Sequence, residues 1–211
     1  MADTIPSGTK GGEAMPWPLL VEFETIARAV LGDDPAADGF AVKGWQASKG
    51  IWLPAYDGVP SGRSDSPDNY WMPDREVAVE LAATTIALRA NRWDADTRSV
   101  TAITPDWRKI VQQTWPHQFD CEISCSGGWA DLLMAVQGWL AERGEAVTWR
   151  LIGEKFGALR LRGTGLSEWA LDLAASASVI SSHICEECGS PGRIRNRDWV
   201  RTLCDEHACQ E

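Results

Sequence analysis

The sequence is poor in histidine, in tyrosine and in net positive charge. Three histidines and two tyrosines occur among 211 residues, and the formal net charge is −10. There is no G-x-S-x-G, Walker-type loop, dinucleotide fingerprint or H-E-x-x-H motif, so the common catalytic classes lack their signatures. Duplex nucleic-acid binding through phosphates normally requires the opposite charge balance. We therefore expect no enzyme and no protein whose main function is to bind duplex DNA.

Long apolar runs are also absent. No segment approaches the length of about 20 apolar residues that a membrane-spanning helix needs. Residues 1–15 are polar and glycine-rich and lack the apolar stretch of a signal peptide, so we expect a disordered tail there. Six cysteines, four of them in or beside a metal-binding pattern, fit a reducing compartment better than a disulfide framework. The sequence therefore predicts a cytoplasmic protein.

The C-terminal segment carries a clear metal-ligand pattern. Cys185 and Cys188 form one C-x2-C pair, and Cys204 and His207 form a C-x2-H pair after residues 189–203. Two such pairs supply the four ligands of a zinc ribbon or zinc knuckle, a closed structural site. We expect one structural Zn²⁺ per chain, bound by Cys185, Cys188, Cys204 and His207. His183 or Cys209 in place of His207 is the alternative ligand set.

The other two cysteines, Cys121 and Cys125, form a C-x3-C pair without a second pair nearby. If residues 119–124 form a strand, both side chains lie on the same face. Buried, unreactive cysteines are the favoured interpretation, and a second metal site or a redox role is the alternative.

Apolar periodicity predicts an α-rich N-terminal domain over residues 16–115. A helix begins at Pro16 and ends before Gly32, and a hairpin turns around Ser48-Lys49-Gly50. A long loop is expected over residues 53–73, and loops of that length often bind partners. Two further helices are predicted, from Pro73 or Asp74 to about Asn91 and over residues 106–111.

The following segment, 116–184, predicts a β-α-β-β-α module. Its predicted elements are a strand at 119–124, a helix at 129–143, strands at 147–152 and 158–162, and a helix at 166–182. The zinc knuckle, 185–211, then packs on this module. The whole chain is expected to be an α+β protein.

Three ordered motifs carry a resemblance to a known family. They are Cys125-Ser126-Gly127-Gly128-Trp129, Glu154-Lys155-Phe156-Gly157-Ala158-Leu159-Arg160 and the ending from Ile184 to His207. Over residues 117–208 the chain resembles a family of uncharacterised bacteriophage and prophage proteins with a similar C-terminal knuckle. The resemblance implies a phage or prophage origin and a zinc-stabilised module, but no activity. Similar proteins usually have Gly-Asp-Gly-Trp where this chain has residues 126–129, which weakens any idea of a carboxylate-based catalytic site there.

Twelve tryptophans and an acidic surface favour an interaction protein, because tryptophan is enriched at binding hot spots. We expect an acidic adaptor or inhibitor that binds another protein, such as a host defence or nucleic-acid-processing complex. An acidic surface can occupy a basic channel by imitating phosphate charge, so anti-CRISPR activity is one specific case.

The alternative is a nucleic-acid-binding regulator that uses the arginine-rich loop of the knuckle. Arg193, Arg195, Arg197 and Arg201 surround Trp199, which is able to stack on a base. The same five residues are the candidate contacts for a protein partner.

Overall fold

Helices and small sheets together build an α+β fold. The computed structural model describes residues 16–48, 50–63, 72–196 and 198–210. Of the described residues, 43% lie in helices and 26% lie in strands, which confirms the predicted fold class. The predicted disordered tail 1–15, Lys49 of the predicted hairpin turn, residues 64–71 of the predicted loop and Arg197 lie outside the described residues.

The N-terminal helix and hairpin are confirmed. Helix α1 spans Trp17–Leu31, buries one apolar face and ends at Gly32, whose φ is 66°. Strands β1 (Ala41–Ser48) and β2 (Ile51–Asp57) pair antiparallel. The predicted loop from residue 53 was wrong over 53–57, because β2 continues to Asp57. Pro54 suggested a loop, but this sheet has two strands only, and a strand with a free edge tolerates a proline.

Helix α2, Arg75–Ala90, lies in the middle of the molecule. Its N-cap is Asp74, whose carboxylate accepts hydrogen bonds from the backbone N–H groups of Glu76 and Val77. The chain continues through a short hairpin of β3 (Trp93–Asp94) and β4 (Ser99–Val100), and then through helix α3 (Trp107–Thr114).

The β-α-β-β-α order of the next segment is confirmed. Its elements are β5 (Ile123–Ser124), α4 (Ala130–Arg143), β6 (Thr148–Lys155), β7 (Ala158–Thr164) and α5 (Glu168–Ser181). Strand β6 pairs parallel with β5 and antiparallel with β7. The predicted strand 119–124 is shorter than expected, since only residues 123–124 join the sheet, with one isolated bridge between Phe119 and Trp149.

The knuckle consists of strands β8 (Arg193–Asn196) and β9 (Val200–Leu203), followed by the short helix α6 (Asp205–Ala208). Helix α2 packs against α1, α4 and α5. One apolar core takes in buried side chains from Leu19 to Ile184, so segments 16–115 and 116–184 both contribute to it. The knuckle has a small core of its own, built around Cys185, Leu203 and Ala208.

The tryptophans are distributed between the core and the surface. Trp107, Trp129 and Trp149 are buried, whereas Trp17, Trp52 and Trp199 are exposed. No helix in the described ranges combines the length and the apolar character that crossing a bilayer requires.

Candidate metal centre

The four predicted ligands lie together at the C-terminal end of the fold. Cys185 and Cys188 flank a turn that directly follows α5, and the N–H of Gly189 closes this turn by donating to the carbonyl of Cys185 at 2.9 Å. Cys204 is the N-cap of α6, and His207 lies within that helix. The hairpin β8–β9 returns the chain, so that the second pair faces the first.

The ligand atoms have the spacing of a tetrahedral metal site. All four lie within 4.8 Å of one another. The Sγ atoms of Cys188 and Cys204 are 3.8 Å apart, and Nδ1 of His207 lies 3.2 Å from Cys204 Sγ and 3.7 Å from Cys185 Sγ. Metal–sulfur bonds of about 2.3 Å at tetrahedral angles place two sulfurs about 3.8 Å apart. A disulfide would need about 2.05 Å, so the set fits one shared metal ion.

Two of the cluster cysteines shift each other's pKa in opposite directions. The hydrogen bond from the Cys188 thiol lowers the pKa of Cys185 to about 4, and the backbone N–H groups of Glu187, Cys188 and Cys204 act in the same direction. The same side-chain bond raises the pKa of Cys188, and burial adds to this rise. A metal ion bound by this set would hold both cysteines as thiolates.

Neither alternative ligand is part of the cluster. Among the residues that the structure describes, the group holds His207 but neither His183 nor Cys209. His183 is half-buried, and burial lowers its pKa. Cys209 is exposed beyond α6.

Cys121 and Cys125 do not form a metal group with other described residues. Both are free thiols, and Cys125 is buried as predicted, whereas Cys121 is only half-buried. Burial raises the pKa of Cys121, and it raises that of Cys125 to about 12. A high thiol pKa lowers the thiolate fraction and therefore the reactivity. These shifts favour the interpretation of both as unreactive cysteines.

The Ser126-Gly127-Gly128-Trp129 motif forms the seat on which the knuckle rests. Gly128 N–H donates to the carbonyl of Glu186 at 2.7 Å, and the buried indole of Trp129 donates to the carbonyl of Ile184 at 3.0 Å. A Cβ at Gly128 would overlap the carbonyl oxygen of Cys185 and lie 2.5 Å from the carbonyl carbon of Glu186. Only glycine allows the two backbones to approach this closely.

The turn between β6 and β7 also contacts the knuckle. Thr202 Oγ1 donates to the carbonyl of Gly157 at 2.6 Å. Within the knuckle, Glu186 accepts from the backbone N–H of Thr202 at 2.7 Å and thereby fixes β9 against the first ligand pair. The three sequence motifs therefore meet at one place, around the candidate metal centre.

A buried arginine from the helical core completes the attachment. Arg89 of α2 donates to the carbonyl of Cys188 at 2.6 Å, to Ser190 Oγ at 2.9 Å and to Glu22 of α1 at 2.8 Å. The Arg89 side chain is 5% exposed, so its charge needs these partners. Sequence reasoning did not identify Arg89 or Glu22, because they lie far from the knuckle along the chain and belong to no local motif.

The described arginines of the knuckle are paired with nearby carboxylates. Arg193 and Arg195 both bind Asp205, at 3.0 Å for Arg193, and Arg201 binds Glu186 and Glu187. These pairs offset the positive charge that the hairpin would otherwise present to phosphate groups.

Two large aromatic side chains remain at the surface where the knuckle meets the sheet. Trp199 is 69% exposed and Phe156, at the tip of the β6–β7 turn, is 65% exposed. The indole N–H of Trp199 donates to Glu154 Oε2 at 3.4 Å. Trp199 was a predicted partner contact, whereas Phe156 was not. The sequence signal that could have identified Phe156 is a bulky aromatic residue directly before the turn glycine Gly157.

Comparison with protein-family models, with curated proteins and with solved structures finds no match.

Proposed function

We propose that this chain is a zinc-stabilised protein that acts by binding another protein. The observation that carries the binding part is the exposed pair of Phe156 and Trp199, because solvent-exposed aromatics at a rigid junction have the character of interface anchors. The zinc part rests on the ligand set at the knuckle.

Zinc is the ion that the donor set favours. Three thiolates and one imidazole at tetrahedral spacing form a set typical of structural zinc, and four protein ligands leave no open coordination position. Cys185, Cys188, Cys204 and His207 would hold the ion. When bound, zinc supplies folding free energy to the knuckle and no reaction chemistry.

We expect one zinc per chain, and loss of this zinc together with the folded knuckle in Cys204→Ser. The measurement is metal content by mass spectrometry, together with thermal unfolding. Cys209→Ser is the matched control, since Cys209 is exposed and lies outside the cluster, and it should retain both zinc and stability. A Cys204→Ser protein with full zinc content and unchanged unfolding would refute the assignment.

The backbone at Phe156 supports a binding function for this residue. Phe156 has φ 57° and Gly157 has φ 72°, so both central residues of the turn are left-handed, as a type I′ turn requires. Asn-Gly is the preferred pair there, and a bulky residue in this conformation costs about 1–2 kcal/mol. A phenylalanine that is strained and exposed contributes little to folding, which suggests selection for binding.

Substitution of Phe156 separates its effect on binding from its effect on folding. Phe156→Asn should raise the free energy of unfolding by about 1 kcal/mol and at the same time weaken capture of the partner. Capture is measured with the immobilised protein and lysate of cells that carry the gene, followed by quantitative mass spectrometry. Trp199→Ala should also lose the captured protein, whereas Trp17→Ala, equally exposed at 69%, should retain it. Equal capture by all variants would refute the proposed surface.

The net charge favours one chemical class of partner. A net charge of −10 favours a partner with a basic face. An origin in a phage or prophage and an inhibitory role against a host defence complex stay predictions. Direct nucleic-acid binding through the arginine-rich loop stays the alternative prediction.

A further inference from the structure

The groove between Phe156 and Trp199 combines aromatic rings with carboxylates. It has a volume of about 390 Å³ and is lined by Glu154, Lys155, Phe156, Asp198, Trp199 and Val200. Aromatic faces carry negative potential and attract cations, and tryptophan does so most strongly. The volume lies at the lower end for binding pockets, so it suits one inserted side chain.

The carboxylate of Glu154 is held in place at this groove. One oxygen accepts the N–H of Gly157 at 2.7 Å, and the other accepts the indole N–H of Trp199 at 3.4 Å. These bonds join the turn to the knuckle and fix a negative charge beside both rings. Asp198, directly before Trp199, adds a second and exposed carboxylate.

The cation among the lining residues is Lys155. Its Nζ lies 5.2 Å from the centre of the Phe156 ring, which is within the range of a cation–π interaction. The ring therefore already accepts an ammonium group on one side. Lys155 would repel a second cation, which makes its removal informative.

We propose that this groove binds an arginine or lysine side chain from a basic segment of the partner protein. The cation lies against Phe156 and Trp199 and is balanced by Glu154 and Asp198. This inference rests on the proposed protein-binding function and adds the chemistry of the contact. Removing a carboxylate from the groove should weaken binding of a cationic side chain, and removing Lys155 should strengthen it. An anionic ligand such as a nucleic acid would show the opposite changes.

The probe is a capped pentapeptide, acetyl-Gly-Ala-Arg-Ala-Gly-amide, compared with the same peptide in which citrulline replaces arginine. Citrulline retains the shape of arginine without its charge. Binding is followed by the NMR shift of the Trp199 indole N–H, which is assigned by its absence in Trp199→Phe. We expect the arginine peptide to shift this resonance and the citrulline peptide to bind at least about fivefold more weakly.

Charge variants provide the second measurement. Asp198→Asn should weaken peptide binding by about two- to fivefold, and Lys155→Gln should strengthen it by a similar factor. Asp33→Asn, an exposed acid on the N-terminal side of the fold, should change nothing. Equal binding of both peptides would overturn the proposal, and so would weaker binding of the arginine peptide by Lys155→Gln.

The two proposals fail in different ways. Partner capture that does not depend on Trp199 would refute the binding surface itself. Capture that requires Trp199 but decreases in Lys155→Gln and is unchanged in Asp198→Asn would leave the surface in place and refute the cationic contact.

Discussion

Replacing Arg89 by methionine should detach the knuckle from the helical core. The substitution keeps a long side chain but removes the hydrogen bonds to Cys188, Ser190 and Glu22. Removing one partner of a buried ion pair costs about 3–5 kcal/mol, because the remaining charge is left buried. Glu22 is that remaining charge. We therefore expect Arg89→Met to lose about 4 kcal/mol near neutral pH.

The pH dependence of this loss identifies Glu22 as its source. Burial raises the pKa of Glu22 above its usual value of 4.5, and the charge of Arg89 opposes that rise. Without Arg89 the folded-state pKa rises further. A raised carboxyl pKa contributes stability that is present below the unfolded-state value and is lost as pH rises through the folded-state value. The difference in unfolding free energy between the variant and the native protein should therefore be smaller at about pH 5 than at about pH 7.

Urea unfolding in zinc-containing buffer, at both pH values, measures the effect. Comparing variant and native protein at the same pH cancels the pH dependence of zinc binding. Glu22→Gln combined with Arg89→Met should recover part of the loss. Lys43→Met is the control, since Lys43 and Asp57 form an exposed pair, worth less than about 1 kcal/mol. A loss that is the same at both pH values and that Glu22→Gln does not reduce would refute the reasoning.

Two further predictions concern the seat of the knuckle and a buried thiol. Gly128→Ala should lower the free energy of unfolding by about 3 kcal/mol, because the new Cβ overlaps the knuckle backbone. Gly138→Ala has open space around its Cβ and should stabilise α4 by up to about 1 kcal/mol. Equal unfolding midpoints of the two variants would contradict this prediction. Iodoacetamide at about pH 8 should label exposed Cys209 and leave Cys125, whose pKa burial raises to about 12, unlabelled. Similar labelling rates for the two cysteines, measured by peptide mass spectrometry, would contradict that prediction.

Sequence patterns predicted the elements whose formation depends on residues close together along the chain. Apolar spacing and a terminal glycine identified α1, and turn residues located the β1–β2 hairpin. The spacing of Cys185, Cys188, Cys204 and His207 predicted a cluster that the structure brings together. Strand β2 was missed at its end, because Pro54 is tolerated in a sheet of only two strands.

The remainder depends on contacts between distant parts of the chain. Arg89 meets Cys188 and Glu22 only after α1, α2 and the knuckle have packed, and no spacing rule connects those positions. The arginine-rich hairpin illustrates the same limit. Its composition suggested a cationic surface, but Asp205, Glu186 and Glu187 pair with the described arginines.

The contacts of Gly128 and Trp129 with the knuckle limit how this knuckle can be transferred to another protein or exchanged by recombination. A small metal knuckle is often able to fold by itself when it binds its ion. Here the carbonyls of Ile184 and Glu186 and the hydroxyl of Thr202 have their partners outside the knuckle. A graft of residues 184–210 onto another protein would leave these groups without partners. Recombination should therefore exchange the knuckle together with positions 89, 128, 129 and 157, as one unit rather than as a cassette.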